Sequence, residues 1–314
     1  RLRGAVEPLA LRITLLGKGA WGGTLAGLWR QRGHRLQCWS RRDGGDAVPL
    51  LEGAELVVAA VPMAAVGPLA RSLGSHWPAD CPLLSCSKGI DPESGGTASR
   101  IWQSHLPPVG LAVLSGPNLA TELARGLPAA SVIASGSETL AEWLQQELSV
   151  PNLRLYRNLD PVGTEAAGAL KNVMALAAGV SDGLGLGANA RASLLCRGLA
   201  EIGTVLEAMG GHPSTLYGLA GLGDLLATAT SPLSRNYRCG LLLAEGLDEA
   251  AALERIGSTV EGPRTARATL LLARRHGWNL PICEQVGRLL AGEVDAAGAV
   301  RSLMERHLRP EGGR

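Results

Sequence analysis

"LRITLLGKGAWGGTLAGLW", residues 11–29, decides the fold. Residues 11–17 are a short apolar run ending at a glycine, which reads as a strand. Leu25, Leu28 and Trp29 then recur at helical spacing inside a helix expected over 22–32. Between the two stand Gly17, Gly19 and Gly22 in a G-x-G-x-x-G arrangement. Such glycines permit a tight turn and let the backbone approach a pyrophosphate, which then rests on the amides of the helix N-terminus. In a chain with 42 glycines the motif alone carries little weight. Its place after a strand and before a helix gives it meaning.

The alternation continues outward. "RLQCWS" (35–40), "AELVVAAVP" (54–62), "CPLLSCSKG" (81–89), "LAVLSGPN" (111–118) and "ASVIASG" (130–136) read as strands, with helical stretches such as 137–148 between them. The expected fold is α/β, a doubly wound Rossmann-like N-terminal domain whose mostly parallel sheet is covered by helices on both faces. After "NLDPVG" (158–163) the chain turns rich in Ala, Leu, Glu and Arg with few β-branched runs, which reads as an all-α C-terminal domain. Residues 1–158 are therefore expected to form a dinucleotide-binding domain, and 159–314 a helical substrate and catalytic domain.

A chain of 314 residues can bury two such cores, and 46% hydrophobic with 18% charged residues is a globular composition. A net charge of +2 with both signs interspersed gives no electrostatic case for nucleic acid or a membrane surface. No apolar run reaches the ~18 residues of a membrane-spanning helix. The opening "RLRGAVEPLA" has basic residues without an apolar core, so it does not read as a secretion signal. Six scattered cysteines form no CxxC pair and six histidines no HExxH spacing; no metal is expected, and the thiols are expected to be reduced, as in a cytoplasmic protein.

"GTEAAGALKNVMALAAGVSDG" (163–183) holds one lysine, Lys171, in a small and apolar run. Its neighbours one helical turn away are Ala167, Gly168, Met174 and Ala175, none of them an acid. Two readings fit: a snorkelling lysine with its head in water, or a desolvated amine ready to exchange a proton. Lys88 in "SCSKGI" and Gly116 with Asn118 in "LSGPNLATE" fall at strand ends bordering the ligand crevice. "GLAGLGDLLATATSPLSRNYR" supplies Asp224, Ser234, Arg235 and Asn236, Arg235 offering a fork to phosphate oxygens. Ser234 or Asn236 can equally cap a helix. After the second strand, Arg41 and Arg42 stand where an NAD site would carry an acid, which leans toward NADP; Asp43 follows at once, and a solvated arginine pair is the other reading.

Taken together, "GKGAWGGTLA", "SCSKGI", "LSGPNLATELARGLPAA", "GALKNVMALAAGVSDGLGLGANARASLLCRGLAEI", "GLAGLGDLLATATSPLSRN" and "VEGPRTA" resemble the bacterial-type NAD(P)-dependent glycerol-3-phosphate dehydrogenases over nearly the whole chain. The resemblance implies dinucleotide contacts from the glycine loop, Ala20, Trp21, Arg41, Lys88, Ala120, Arg235, Thr259 and Glu261. It implies substrate contacts from Lys88, Gly116, Asn118, Lys171, Asp224, Ser234, Arg235 and Asn236, with Lys171 as proton acceptor. The implied cofactor is NADP or NAD. The implied reaction is reversible hydride transfer from sn-glycerol 3-phosphate, giving dihydroxyacetone phosphate, in the cytoplasm and for phospholipid synthesis. Partners are then a small phosphorylated triol or ketose and further copies of the chain, with no nucleic acid and no integral membrane segment.

Three departures stand out. Asn118 and Leu119 replace a Ser or Thr followed by Phe; the connection over 41–53 is short, with no helical segment expected; and Lys18 sits between the first two glycines. Two rivals remain at this level: a related hydroxy-acid or phosphogluconate dehydrogenase, which would lack "SPLSRN", and a dinucleotide sensor, which would not need a proton acceptor.

Overall fold

β1 (Arg12–Leu16) is buried at four of its five positions. β2 (Arg35–Trp39) pairs with it on one side and β3 (Leu56–Ala59) on the other, both parallel to it. β4 (Leu83–Ser85) and β5 (Leu111–Ser115) extend the parallel run. β6 (Ala129–Ala134) reverses against β5, and β7 (Leu153–Asn158) lies parallel to β6. The sheet order is β2-β1-β3-β4-β5-β6-β7. The structure, a computed structural model, describes residues 10–307. The reading of the opening stretch as no leader, and the last seven residues of the second domain, lie outside them.

Because the chain leaves β1 first to one side and then to the other, a crevice opens at the C-terminal ends of β1 and β3. Strands buried on both faces divide their side chains between two cores. Leu15, Leu56, Val58 and Leu84 pack under α1 (Ala20–Gln31), while Leu16, Val57, Ala59 and Leu83 pack under α2 (Met63–Leu73) and α3 (Ala98–Gln103). The short α4 (Ala120–Ala124) and α5 (Glu138–Leu148) complete the first of these layers. The doubly wound expectation is met. The strand reading omitted β7, whose "LRLYRN" is exposed at Arg154, Tyr156 and Arg157 and so lacks a continuous apolar run. No helical segment is expected over 41–53; the structure has no α-helix there but forms two short 3-10 turns of helix, Arg41–Asp43 and Val48–Leu51.

The second half is helical around α6 (Pro161–Gly183), in which every residue from Gly163 to Ser181 is buried. Pro161 opens it, and Asp160 caps it by accepting from the Gly163 N–H at 2.8 Å. Around this spine stand α7 (Gly187–Ala208), α8 (Asp224–Ala229), α9 (Arg235–Ala244), α10 (Glu249–Ile256), α11 (Gly262–His276), α12 (Pro281–Leu290) and α13 (Ala296–Met304).

One buried carboxyl fastens two of these helices. Glu201 on α7 accepts from the Ile282 N–H at 2.6 Å and the Cys283 N–H at 3.1 Å, two of the free amides at the start of α12. Burial pushes its carboxyl up to about 7, against the lowering effect of those two N–H groups. For an acid raised in the folded state, the stability contribution is complete below the unfolded value and lost as pH rises through the folded one. The stability of the protein relative to Glu201→Gln is therefore expected to fall between about pH 5 and about pH 8, by on the order of 3 kcal/mol. Thermal melts of both proteins across that range check it; a constant difference would refute the assignment.

Candidate active site

The parallel strands end along one edge, and the site is built there. At the end of β1 the glycine loop closes on itself. Gly17 has φ +106, and a Cβ there would lie 2.4 Å from the Ala60 carbonyl oxygen; a Cβ at Gly22 would lie 1.9 Å from that of Gly17. Gly19 differs, since a Cβ there would meet nothing within 4 Å. The loop is thus tight at two glycines and open at the third, where α1 begins with no side-chain cap on its first amides. A dinucleotide pyrophosphate fits this cradle.

Around the loop, Ala20 and Arg41 are exposed, while Trp21 is half-buried against the core beneath the loop. The Ala120 carbonyl accepts from the Thr24 hydroxyl at 3.3 Å, holding α4 against α1. Glu261 reaches across from the start of α11 and accepts from the Met63 N–H at 3.1 Å, at the head of α2. Burial raises its carboxyl above the usual range. Thr259, two residues earlier, is exposed.

The second group lies where β4 and β5 meet α6. A Cβ at Gly168 would sit 2.8 Å from the Ser115 hydroxyl, so only glycine lets α6 come this close to the end of β5. Lys171 follows one turn later on the same face. It is 7% exposed, which excludes the snorkelling reading. Its partner comes from another helix: Lys171 Nζ donates to Asp224 Oδ1 at 2.7 Å and to Thr228 Oγ1 at 2.7 Å. Lys88 Nζ donates to the other oxygen, Asp224 Oδ2, at 2.6 Å and to the Gly116 carbonyl at 3.3 Å. The Thr228 hydroxyl donates to Asp224 Oδ1 at 3.1 Å.

One carboxylate therefore holds two ammonium groups. Burial lowers Lys171 to about 8; the Asp224 charge opposes that shift and the Lys88 charge assists it. Burial alone would raise Asp224, but the two lysines outweigh it and hold the carboxyl below its usual range.

The remaining predicted residues surround this trio. Arg235 is exposed at the start of α9, and its side chain makes no hydrogen bond among the described residues. Ser234 caps α9, accepting from the Tyr237 N–H at 3.2 Å. Asn236 uses both ends of its amide within the protein, donating to Asn172 Oδ1 at 2.9 Å and accepting from the Gly262 N–H at 2.8 Å. Asn118 Oδ1 accepts from the Ser131 hydroxyl, while its buried Nδ2 has no partner among the described residues. Sequence reasoning missed Thr228, although its place four residues after Asp224 on one helix was a usable signal. No group of three or more metal-ligating side chains occurs among the described residues.

Comparison with known proteins adds the lineage. Sequence models described as the N-terminus and the C-terminus of NAD-dependent glycerol-3-phosphate dehydrogenase match residues 44–141 and 160–301. A Synechococcus sp. (strain RCC307) protein named glycerol-3-phosphate dehydrogenase (NAD(P)+) is 57% identical over 303 residues, spanning 96% of this chain and 100% of its own. One of the same name from Gloeobacter violaceus is 45% identical over 304 residues, again 96% and 100%. Among solved structures, a glycerol-3-phosphate dehydrogenase from Coxiella burnetii superposes with a TM-score of 0.91 at 35% identity, covering 95% of this chain and 100% of that one.

Proposed function

This chain belongs to the NAD-dependent glycerol-3-phosphate dehydrogenase family, and from that premise we propose how its residues carry the reaction. The enzyme interconverts sn-glycerol 3-phosphate and dihydroxyacetone phosphate with NAD or NADP. The bound nicotinamide supplies the hydride chemistry. Lys171, neutral, takes the proton from the C2 hydroxyl as it becomes a carbonyl, and returns it in reduction. Lys88 keeps a positive charge near the oxygen as charge develops on it. Asp224 and Thr228 fix the Lys171 amine, and Asp224 fixes Lys88. Gly116 and Asn118 line the substrate on the strand side, and Asn118 Nδ2 is a donor awaiting a substrate oxygen. Arg235 receives the phosphate, its position fixed by Ser234 and Asn236 at the start of α9. Gly17, Gly19, Ala20, Trp21, Gly22, Arg41, Lys88, Ala120, Arg235, Thr259 and Glu261 border the dinucleotide.

The observation that carries this reading is the pair of lysines, one from each half of the chain, converging on the two oxygens of Asp224. We place the boundary between a dinucleotide-binding domain (1–158) and a helical catalytic domain (159–314) where β7 ends. No helix among the described residues is long and apolar enough to cross a membrane. A homo-oligomeric, cytoplasmic enzyme supplying phospholipid synthesis is proposed on the resemblance alone.

The deciding assay follows the absorbance of NADH or NADPH with dihydroxyacetone phosphate as oxidant. Turnover with a hydroxy acid or phosphogluconate in the reverse direction, and none with glycerol 3-phosphate, would overturn the substrate. Dinucleotide binding without turnover would leave a sensor. Arg235→Ala is expected to raise the KM for glycerol 3-phosphate by about tenfold to a hundredfold, the scale of one charge-assisted phosphate contact. The KM for the dinucleotide should change much less. Steady-state kinetics in both substrates check this, and equal changes in both would refute the assignment.

A further inference from the structure

The adenosine end of the crevice, formed by the ends of β1 and β2, holds a pair of charges that the reaction does not use. The two strands are joined there, the Gly17 N–H donating to the Trp39 carbonyl at 2.8 Å. An NAD site places a carboxylate at this strand end, on the ribose hydroxyls, and an NADP site places a cation there for the 2′-phosphate. This chain brings both. Beyond β2 the turn at Arg41–Asp43 folds Asp43 back onto the strand end, where its Oδ2 accepts from the Ser40 hydroxyl at 3.1 Å. Lys18, from between the loop glycines, donates to the same oxygen at 3.0 Å. Gly44 and Gly45, both at φ +74, and an indole hydrogen bond from Trp39 to the Gly45 carbonyl at 3.3 Å close the short loop behind them. The side chains of Arg41 and Arg42 are exposed and hydrogen-bond to nothing among the described residues.

We propose that Lys18 and Asp43 are the selector that admits both dinucleotides. Asp43 accepts from the adenosine ribose hydroxyls of NADH. Lys18 turns from Asp43 to the 2′-phosphate of NADPH, beside Arg41. An exposed ion pair is weak, so it opens at little cost, whereas a charge-assisted contact to a phosphate dianion is stronger. Lys18 so placed shields the phosphate from the carboxylate, and the carboxylate gives the ribose an acceptor. The inference rests on the dinucleotide reading above and extends it to the discrimination between the two cofactors.

The test is calorimetric titration of NADH and NADPH, without substrate, into the wild-type protein, Lys18→Met and Asp43→Ala. Lys18→Met is expected to weaken NADPH by about tenfold and NADH by about twofold or less, since a lost charge-assisted contact is worth roughly that much. Asp43→Ala is expected to act in the opposite sense, weakening NADH severalfold while NADPH binds as tightly or tighter. Both side chains are 46% exposed, so the fold does not depend on them. Shifts of the two affinities by equal factors in each variant, or no shift in either, would overturn the selector while leaving the dinucleotide site intact. A wild-type protein that binds neither dinucleotide would overturn both readings together.

Discussion

Lys171→Met is expected to lower kcat by about two to four decades while leaving dinucleotide affinity nearly unchanged. Methionine keeps the stem that lies among the buried residues of α6, so the change removes the amine and little packing. Asp224 retains Lys88 as a partner in that variant, so no carboxylate is stranded. The pH profile gives a second, sharper readout. A buried amine lowered to about 8 is protonated below that value and cannot accept a proton. In the oxidative direction kcat should therefore rise about tenfold per pH unit below about 8 and level off above it. In the reductive direction the ammonium form is needed, so the profile should fall above the same value. Stopped-flow or steady-state rates across pH in both directions check the pair of limbs. Residual turnover of Lys171→Met that keeps the same inflection would assign the proton to another group.

Asp224→Ala is expected to fail in two ways at once. Buried Lys171 and half-buried Lys88 would lose their shared counter-ion, and removing one partner from a buried ion pair costs about 3–5 kcal/mol. In a chain of 314 residues that lowers Tm by roughly 5–8 °C. Turnover should fall as well, because Lys171 loses the group that orients it. Asp224→Asn separates the two effects. It keeps the volume and one acceptor oxygen but no charge, so with Asp224 no longer opposing the burial of Lys171, the oxidative pH profile should move to lower pH. Thermal melts with pH-dependent kinetics check both variants. An unchanged profile in Asp224→Asn would show that the carboxylate does not set the lysine's ionisation.

The sheet was legible because strands buried on both faces are mostly apolar runs, as in β1, β3, β4 and β5; β2, at the edge and with no fully buried residue, was read from its short run before Ser40. β7 escaped because its Arg154, Tyr156 and Arg157 face solvent. The individual candidates for the site were legible for a different reason: a lone lysine in an alanine-rich helix and a glycine loop after a strand are chemically conspicuous. Their convergence was not. Asp224 lies 53 residues from Lys171 and 136 from Lys88, and no local spacing joins them. Nor could the sequence show that Asn236 would spend its amide on Asn172 and Gly262, or that Asp43 would fold back onto Ser40 and meet Lys18. Those facts depend on how the second half docks on the first and on how a short turn closes.

On the proposed role of Lys171, two lysines sharing one aspartate also set an electrostatic rhythm for the catalytic cycle. With Lys171 protonated the trio carries a surplus positive charge; with Lys171 neutral it carries none. An anionic triose phosphate is thus met by a cationic pocket when reduction is about to begin, and the ketone product of oxidation leaves a pocket that has just regained that charge. Capture of the phosphorylated ligand and uptake of a solvent proton are therefore thermodynamically linked, each favouring the other by an equal amount.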